Sequence, residues 1–214
     1  MPLTELKLEV NEAALPRDIG AFLCDADRRI EHFQTDSSLL AFVPSDFVRA
    51  YAILRSLSEN LAPGRLFCEW GSGFGVVACL AAMLDFEAHG IEIEGELIDA
   101  ARRLAADYEL PVELVRGSFI PKGDKLSNGG NSFAWLTTEE SIAPDESDLD
   151  PDDFAVIFAY PWPDEDRATA DLFERHAALG AILITYHGGD DFRVRRKTKS
   201  RLRTRGSRRS FMTC

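Results

Sequence analysis

The chain has 214 residues, 45% hydrophobic and 28% charged, with 36 acidic against 24 basic side chains and a formal net charge of -12. This excludes a fibrous, disordered or disulfide-stapled chain and points to one ordinary globular domain with its own core. No apolar stretch approaches the roughly 20 residues that span a bilayer, and the opening MPLTELKLEV lacks the basic-then-apolar order of a signal peptide. The expected location is cytoplasmic, with no membrane partner.

Charge is unevenly placed. Residues 193 to 209 hold ten basic side chains and no acidic one, so the rest sets 14 basic against 36 acidic. An acidic body repels nucleic acid phosphates and favours neutral or cationic partners. Residues 193 to 214 read as a basic, disordered tail, either a solvated end or the one segment able to contact nucleic acid. A second run, Glu139 to Asp153, holds eight acidic residues and reads as an exposed loop able to contact that tail. Cys24, Cys68, Cys79 and Cys214 match no zinc spacing and read as reduced structural residues; no metal-binding cluster is visible.

Residues 46 to 58 place Phe47, Ala50, Tyr51, Leu54 and Leu57 on one helical face, with Ser45 as the expected N-cap. Ala62-Pro63-Gly64 breaks the chain. LFCEW (66–70) then reads as a strand, GSGFG as a turn, and 76–84 as a helix of small apolar residues. A strand over 88–93, a helix over 96–107 and a strand over 112–115 follow. Beyond the loop LSNGGNS (126–132) lie a buried strand (154–160), a helix (165–178) and another buried strand (180–188). Strands alternating with helices imply right-handed crossovers and an α/β, doubly wound, mostly parallel Rossmann-like sheet with helices on both faces. The expected division is an N-terminal helical extension (1–64), a Rossmann-like core (65–192) and the tail (193–214).

The sharpest signal is Cys68-Glu69-Trp70-Gly71-Ser72-Gly73-Phe74-Gly75, a glycine turn between strand and helix. Glycines there bring the backbone within contact distance of a ligand, in the crevice where open α/β sheets bind ligands. A dinucleotide fingerprint reads GxGxxG, whereas this turn reads GxGxG with an acid two positions ahead. That carboxylate repels a pyrophosphate and suits a ligand carrying an ammonium group, which argues against a nicotinamide oxidoreductase.

The run ExGxGxG after the first core strand resembles motif I of class I S-adenosylmethionine-dependent methyltransferases. HGIEIEGELIDAARRLA is similar to that family's second strand and helix, and the cofactor half is similar to that of the seven-strand lysine methyltransferases. The resemblance implies that S-adenosyl-L-methionine is held by Glu69, Gly71, Ser72, Gly73 and Gly75, with Glu92, beside Ile93, on the ribose hydroxyls through charge-assisted hydrogen bonds. Glu94 is the alternative to Glu92. VELVRGSFIP resembles the adenine-contacting turn, with Ser118 where the family often has Asp and with Phe119 either packing on adenine or sitting in the core.

The fourth core strand ends in Tyr160-Pro161-Trp162-Pro163. In the family this position faces the methyl group, and several N-methyltransferases place Asn or Asp first; here Tyr160 stands there, so adenine N6 methylation is not supported. Trp162 and Tyr160 either stack on a planar or cationic acceptor or close the sheet as packing. Tyr186 and His187 point to the same crevice, with His187 either a general base or a structural hydrogen-bonder. A complete enzyme of this class adds a helix and an antiparallel strand pair after its fifth strand, so a shortened C-terminal end is expected. Two functions remain: a methyltransferase acting on a small molecule or protein side chain, and a non-catalytic binding module whose basic tail contacts nucleic acid or an acidic partner.

Overall fold

A computed structural model describes residues 2–8, 10, 14–36, 42–121, 124 and 149–199. The loop LSNGGNS, residues 139–148 of the acidic run and residues 200–214 lie outside the described residues.

Five parallel strands form the centre of a seven-stranded sheet: β2 (Leu66–Trp70), β3 (Glu87–Glu92), β4 (Val112–Arg116), β5 (Val156–Ala159) and β6 (Ile182–Tyr186). With β1 (Leu3–Glu5) and β7 (Phe192–Lys197), the order is β1-β7-β6-β5-β2-β3-β4. The chain winds from β2 towards β4, then returns through β5 on the other side of β2. The order therefore reverses between β2 and β5, and a crevice opens there at the carboxyl ends of the strands.

The helices are α1 (Arg17–Asp36), α2 (Phe47–Asn60), α3 (Val76–Ala82), α4 (Gly95–Asp107) and α5 (Asp166–His176). Strand alternation sends Phe67 and Glu69 to the face covered by α1 to α4, and Cys68 and Trp70 to the face covered by α5. Cys68 and Cys79 are buried free thiols within this packing. The apolar stripe of residues 47–57 does fold as a helix, but its N-cap is Asp46, whose side chain accepts from Arg49 N. Helices α1 and α2 form most of the described part of residues 1–64, and β1 lies there too, so this segment is not wholly helical.

The largest correction concerns residues 193–197. They are a strand and not tail: β7 runs antiparallel to β6, and β1 runs antiparallel to β7. Two-residue alternation explains how so basic a segment enters the sheet. Phe192 and Val194 pack with the core, while Arg193 and Arg195 pair with Asp166 at the start of α5. Lys197 is buried and donates to the carbonyl of Ala177, and Arg196 donates to that of Leu61 at 2.6 Å. The antiparallel strand pair that a short C-terminal end left in question is formed, with its outer member supplied by the chain's N-terminus.

Candidate active site

A cavity of about 520 Å³ lies over the carboxyl ends of all five parallel strands. Gly71 and Gly73 follow β2, Glu92 and Ile93 close β3, Ser118 and Phe119 follow β4, Tyr160 and Trp162 follow β5, and His187 follows β6. Nine of the residues singled out in the sequence therefore share one cavity.

The glycine turn is shaped by its backbone. Gly73 sits at φ 52, and Gly75, the N-cap of α3, at φ 65. A side chain is strained at either position. The amide of Gly73 donates to Glu92 Oε2 at 2.7 Å, and that of Glu94 donates to Oε1 at 2.9 Å. Glu92 is thus a buried carboxylate fixed at the cavity floor, and burial pushes its carboxyl above the ordinary value despite those bonds. Glu94 also lines the cavity but contributes only its amide to this arrangement.

Glu69 stands elsewhere. Its Oε2 accepts from Ala78 N at 2.9 Å, inside the first turn of α3, and burial drives its carboxyl well above the usual range with the Glu92 charge adding to the effect. Glu69 and Ser72 border a separate small space of about 30 Å³ behind the turn. Phe42 lies between the two spaces, its ring so close over Gly73 that a Cβ there would come within 2.4 Å of it. Tyr186 does not line the main cavity. It is buried behind Tyr160, ring centroids 4.6 Å apart, and stacks on Phe192.

On the wall that follows β4, Phe119 stacks parallel on Trp70 at 5.0 Å, and Ser118 Oγ accepts from Ile120 N at 3.2 Å. Across the cavity, His187 Nε2 lies 2.9 Å from Thr185 Oγ1 and 3.5 Å from Asp166 Oδ1. Burial holds this imidazole below its ordinary value, against the opposing pull of the Asp166 carboxylate.

Sequence reasoning missed Phe42, Trp70, Thr169 and Glu165 as cavity residues. Trp70 carried a usable signal, being the last residue of the strand that feeds the turn. Glu165 carried little, since an acid at a helix start is ordinary.

Among the described residues, no helix is long and apolar enough to cross a membrane. No family model and no curated protein matches the chain. Among solved structures, the O-methyltransferase from Bacillus cereus in complex with S-adenosylhomocysteine is similar over 82% of this chain and 69% of its own, with 17% identity and a TM-score of 0.54. An RNA methyltransferase from Salinibacter ruber in complex with S-adenosyl-L-homocysteine is similar over 73% of this chain and 93% of its own, with 17% identity and a TM-score of 0.50. At these identities the likeness establishes architecture: the chain has the Rossmann-like fold of the class I S-adenosylmethionine-dependent methyltransferases.

Proposed function

We propose that the chain is a class I methyltransferase that uses S-adenosyl-L-methionine to methylate a small molecule or a protein side chain. Gly71, Gly73, Glu92, Ile93, Ser118 and Phe119 hold the cofactor, and Tyr160, Trp162 and His187 line the acceptor side. Glu69, Ser72 and Gly75 act from behind the turn, and Tyr186 backs Tyr160.

The observation that carries this reading is the buried Glu92 carboxylate at the end of β3, locked beside the glycine turn. Its oxygens accept the Gly73 and Glu94 amides, and a carboxylate, an acceptor at both oxygens, suits a ligand's hydroxyl donors. Glu92 and Glu94 line this end of the crevice, where carboxylates suit a ligand carrying ammonium and sulfonium charges and no phosphate. The cavity also falls within the roughly 300–1,000 Å³ of small-molecule and cofactor sites. Bound there, the cofactor supplies an electrophilic methyl group. The residues of β5 and β6 then orient the acceptor and exclude water, and positioning contributes most of the rate.

Isothermal titration calorimetry with S-adenosylhomocysteine tests the reading, with NADH and Glu92→Ala as comparisons. Micromolar binding of S-adenosylhomocysteine but not NADH, weakened at least about tenfold in the variant, is expected. No binding by a cooperatively folded sample rejects it.

A further inference from the structure

The start of α5 carries two adjacent acids with opposite fates. Asp166 is fully engaged: Arg193 and Arg195 reach it at 3.1 and 3.2 Å, and His187 at 3.5 Å. Glu165, one residue earlier, is only 6% exposed and lines the cavity. Among the described residues no Lys, Arg or His pairs with it. Among the described residues its side chain accepts one bond, a long one, 3.3 Å from Trp162 N to Oε2.

A buried carboxylate without a countercharge is costly, and proteins keep such groups chiefly where a ligand supplies the missing partner. Two guanidinium groups stand one residue away and are committed to Asp166, so neutralisation was available and is not used here. The cavity that Glu165 lines is also lined by Tyr160, Pro161, Trp162 and Ile120, with Thr169 one helical turn on from Glu165. An aromatic face next to a carboxylate is the chemistry that attracts an ammonium group. Glu165 brings a carboxylate to the cavity that Tyr160 also lines, from five residues downstream.

Resting on the methyltransferase reading, we infer that the acceptor is a small-molecule amine on an apolar body, with Glu165 holding its nitrogen and Trp162 and Tyr160 flanking it. Arriving as an ammonium, the nitrogen has no lone pair. Transfer of one N–H proton to Glu165 leaves a neutral amine, hydrogen-bonded to the protonated acid's other oxygen, with its lone pair free to form the new C–N bond. The methyl–sulfur bond would break in the same step, its electron pair staying on sulfur as the neutral thioether S-adenosylhomocysteine, and the product would be a methylammonium.

The test is calorimetric binding of phenethylamine and tryptamine against their neutral counterparts 2-phenylethanol and tryptophol, with and without S-adenosylhomocysteine. The wild type is expected to bind the amines at least tenfold more tightly than the alcohols. Glu165→Gln, nearly isosteric, is expected to bring that ratio to within about twofold of unity while S-adenosylhomocysteine affinity stays within twofold. Asp164→Asn makes the same change in net charge at an exposed neighbour and is expected to leave the ratio intact.

A wild-type ratio near one, or no amine binding, overturns the inference, and that readout needs no variant. So does an unchanged ratio in Glu165→Gln, or an equal loss in Asp164→Asn. If amine selectivity and its dependence on Glu165 hold while S-adenosylhomocysteine does not bind, the amine site stands and the methyltransferase reading falls.

Discussion

The amide of Gly73 donates a 2.7 Å hydrogen bond to Oε2 of Glu92, joining the turn after β2 to the end of β3 across a separation of 19 residues. Through this bond the shape of the glycine turn and the charge at the cavity floor depend on each other. Anything that protonates or removes the carboxylate loosens both.

A pH dependence of ligand affinity follows. Burial raises the Glu92 carboxyl above its ordinary value of 4.5, so it takes up a proton at a higher pH than an exposed glutamate does. The protonated acid loses acceptor capacity towards the Gly73 and Glu94 amides and towards the hydroxyl donors proposed to bind it. S-adenosylhomocysteine affinity should therefore be greatest where Glu92 is ionised and weaken as pH is lowered, starting above the usual carboxylate range. Calorimetry from about pH 8 to pH 5 reads this. Glu92→Gln should bind weakly with a flatter profile, and a flat wild-type profile would rule out ionised Glu92 as the hydroxyl acceptor.

Stability of the unliganded protein runs the other way. Glu69 also has a raised carboxyl value in the folded state, chiefly from burial. The native state therefore holds its proton to higher pH than the unfolded chain does. The associated stability is complete below the unfolded value and is lost as pH rises through the folded one. Glu69→Gln keeps an acceptor for Ala78 N and removes the buried charge. At pH 8 it should stabilise by about 1 kcal/mol, or roughly 2–4 °C in melting temperature, with the gain shrinking towards acid pH. Melting curves of both proteins across this range check it, and a lower melting temperature for the variant at pH 8 would count against it.

The five parallel strands were legible because each is a short apolar run bounded by glycine, proline or a helix start. LFCEW is one example, and its span was read as it stands in the fold. Strand β7 was hidden because FRVRRK has the composition of a solvated tail; its alternation becomes visible only once Asp166 and two backbone carbonyls are seen to receive its charges. Strand β1 has three residues and no pattern of its own, since its partner lies at the other end of the chain. In the site, GxGxG and Glu92 were legible from spacing. Glu165 was not, because its burial depends on the path of the Pro161 to Pro163 loop.

Gly90 is the sheet position where the glycine turn is seated. A Cβ there would lie 2.8 Å from Leu114 Cδ2 and 3.0 Å from Ser72 Cβ and Oγ. Those atoms belong to packed neighbours, so Gly90→Ala should cost about 1–3 kcal/mol as overpacking. Because one of the displaced neighbours is Ser72, the turn should shift as well. The variant should thus show both a lower denaturant midpoint and weaker S-adenosylhomocysteine binding. A loss of stability with unchanged affinity would show that Gly90 packs the sheet without seating the turn.

The N-terminal strand offers the cleanest separation of stability from binding. β1 covers the outer edge of β7 through the register Leu3 to Lys197, Thr4 to Arg196 and Glu5 to Arg195, and Leu6 N adds a 2.7 Å bond to Val194 O. Removing residues 2–6 bares that edge, and a bared edge strand is a template for pairing with another chain. The shortened protein should melt lower, by on the order of 1–2 kcal/mol of stability, and should self-associate. Its affinity for S-adenosylhomocysteine should persist, because the residues proposed to hold the cofactor lie at the ends of β2, β3 and β4, with β5, β6 and β7 between them and the lost strand. Light scattering and melting report the first effect and calorimetry the second. A monodisperse truncation with an unchanged melting temperature would mean that β1 contributes nothing to the edge it covers.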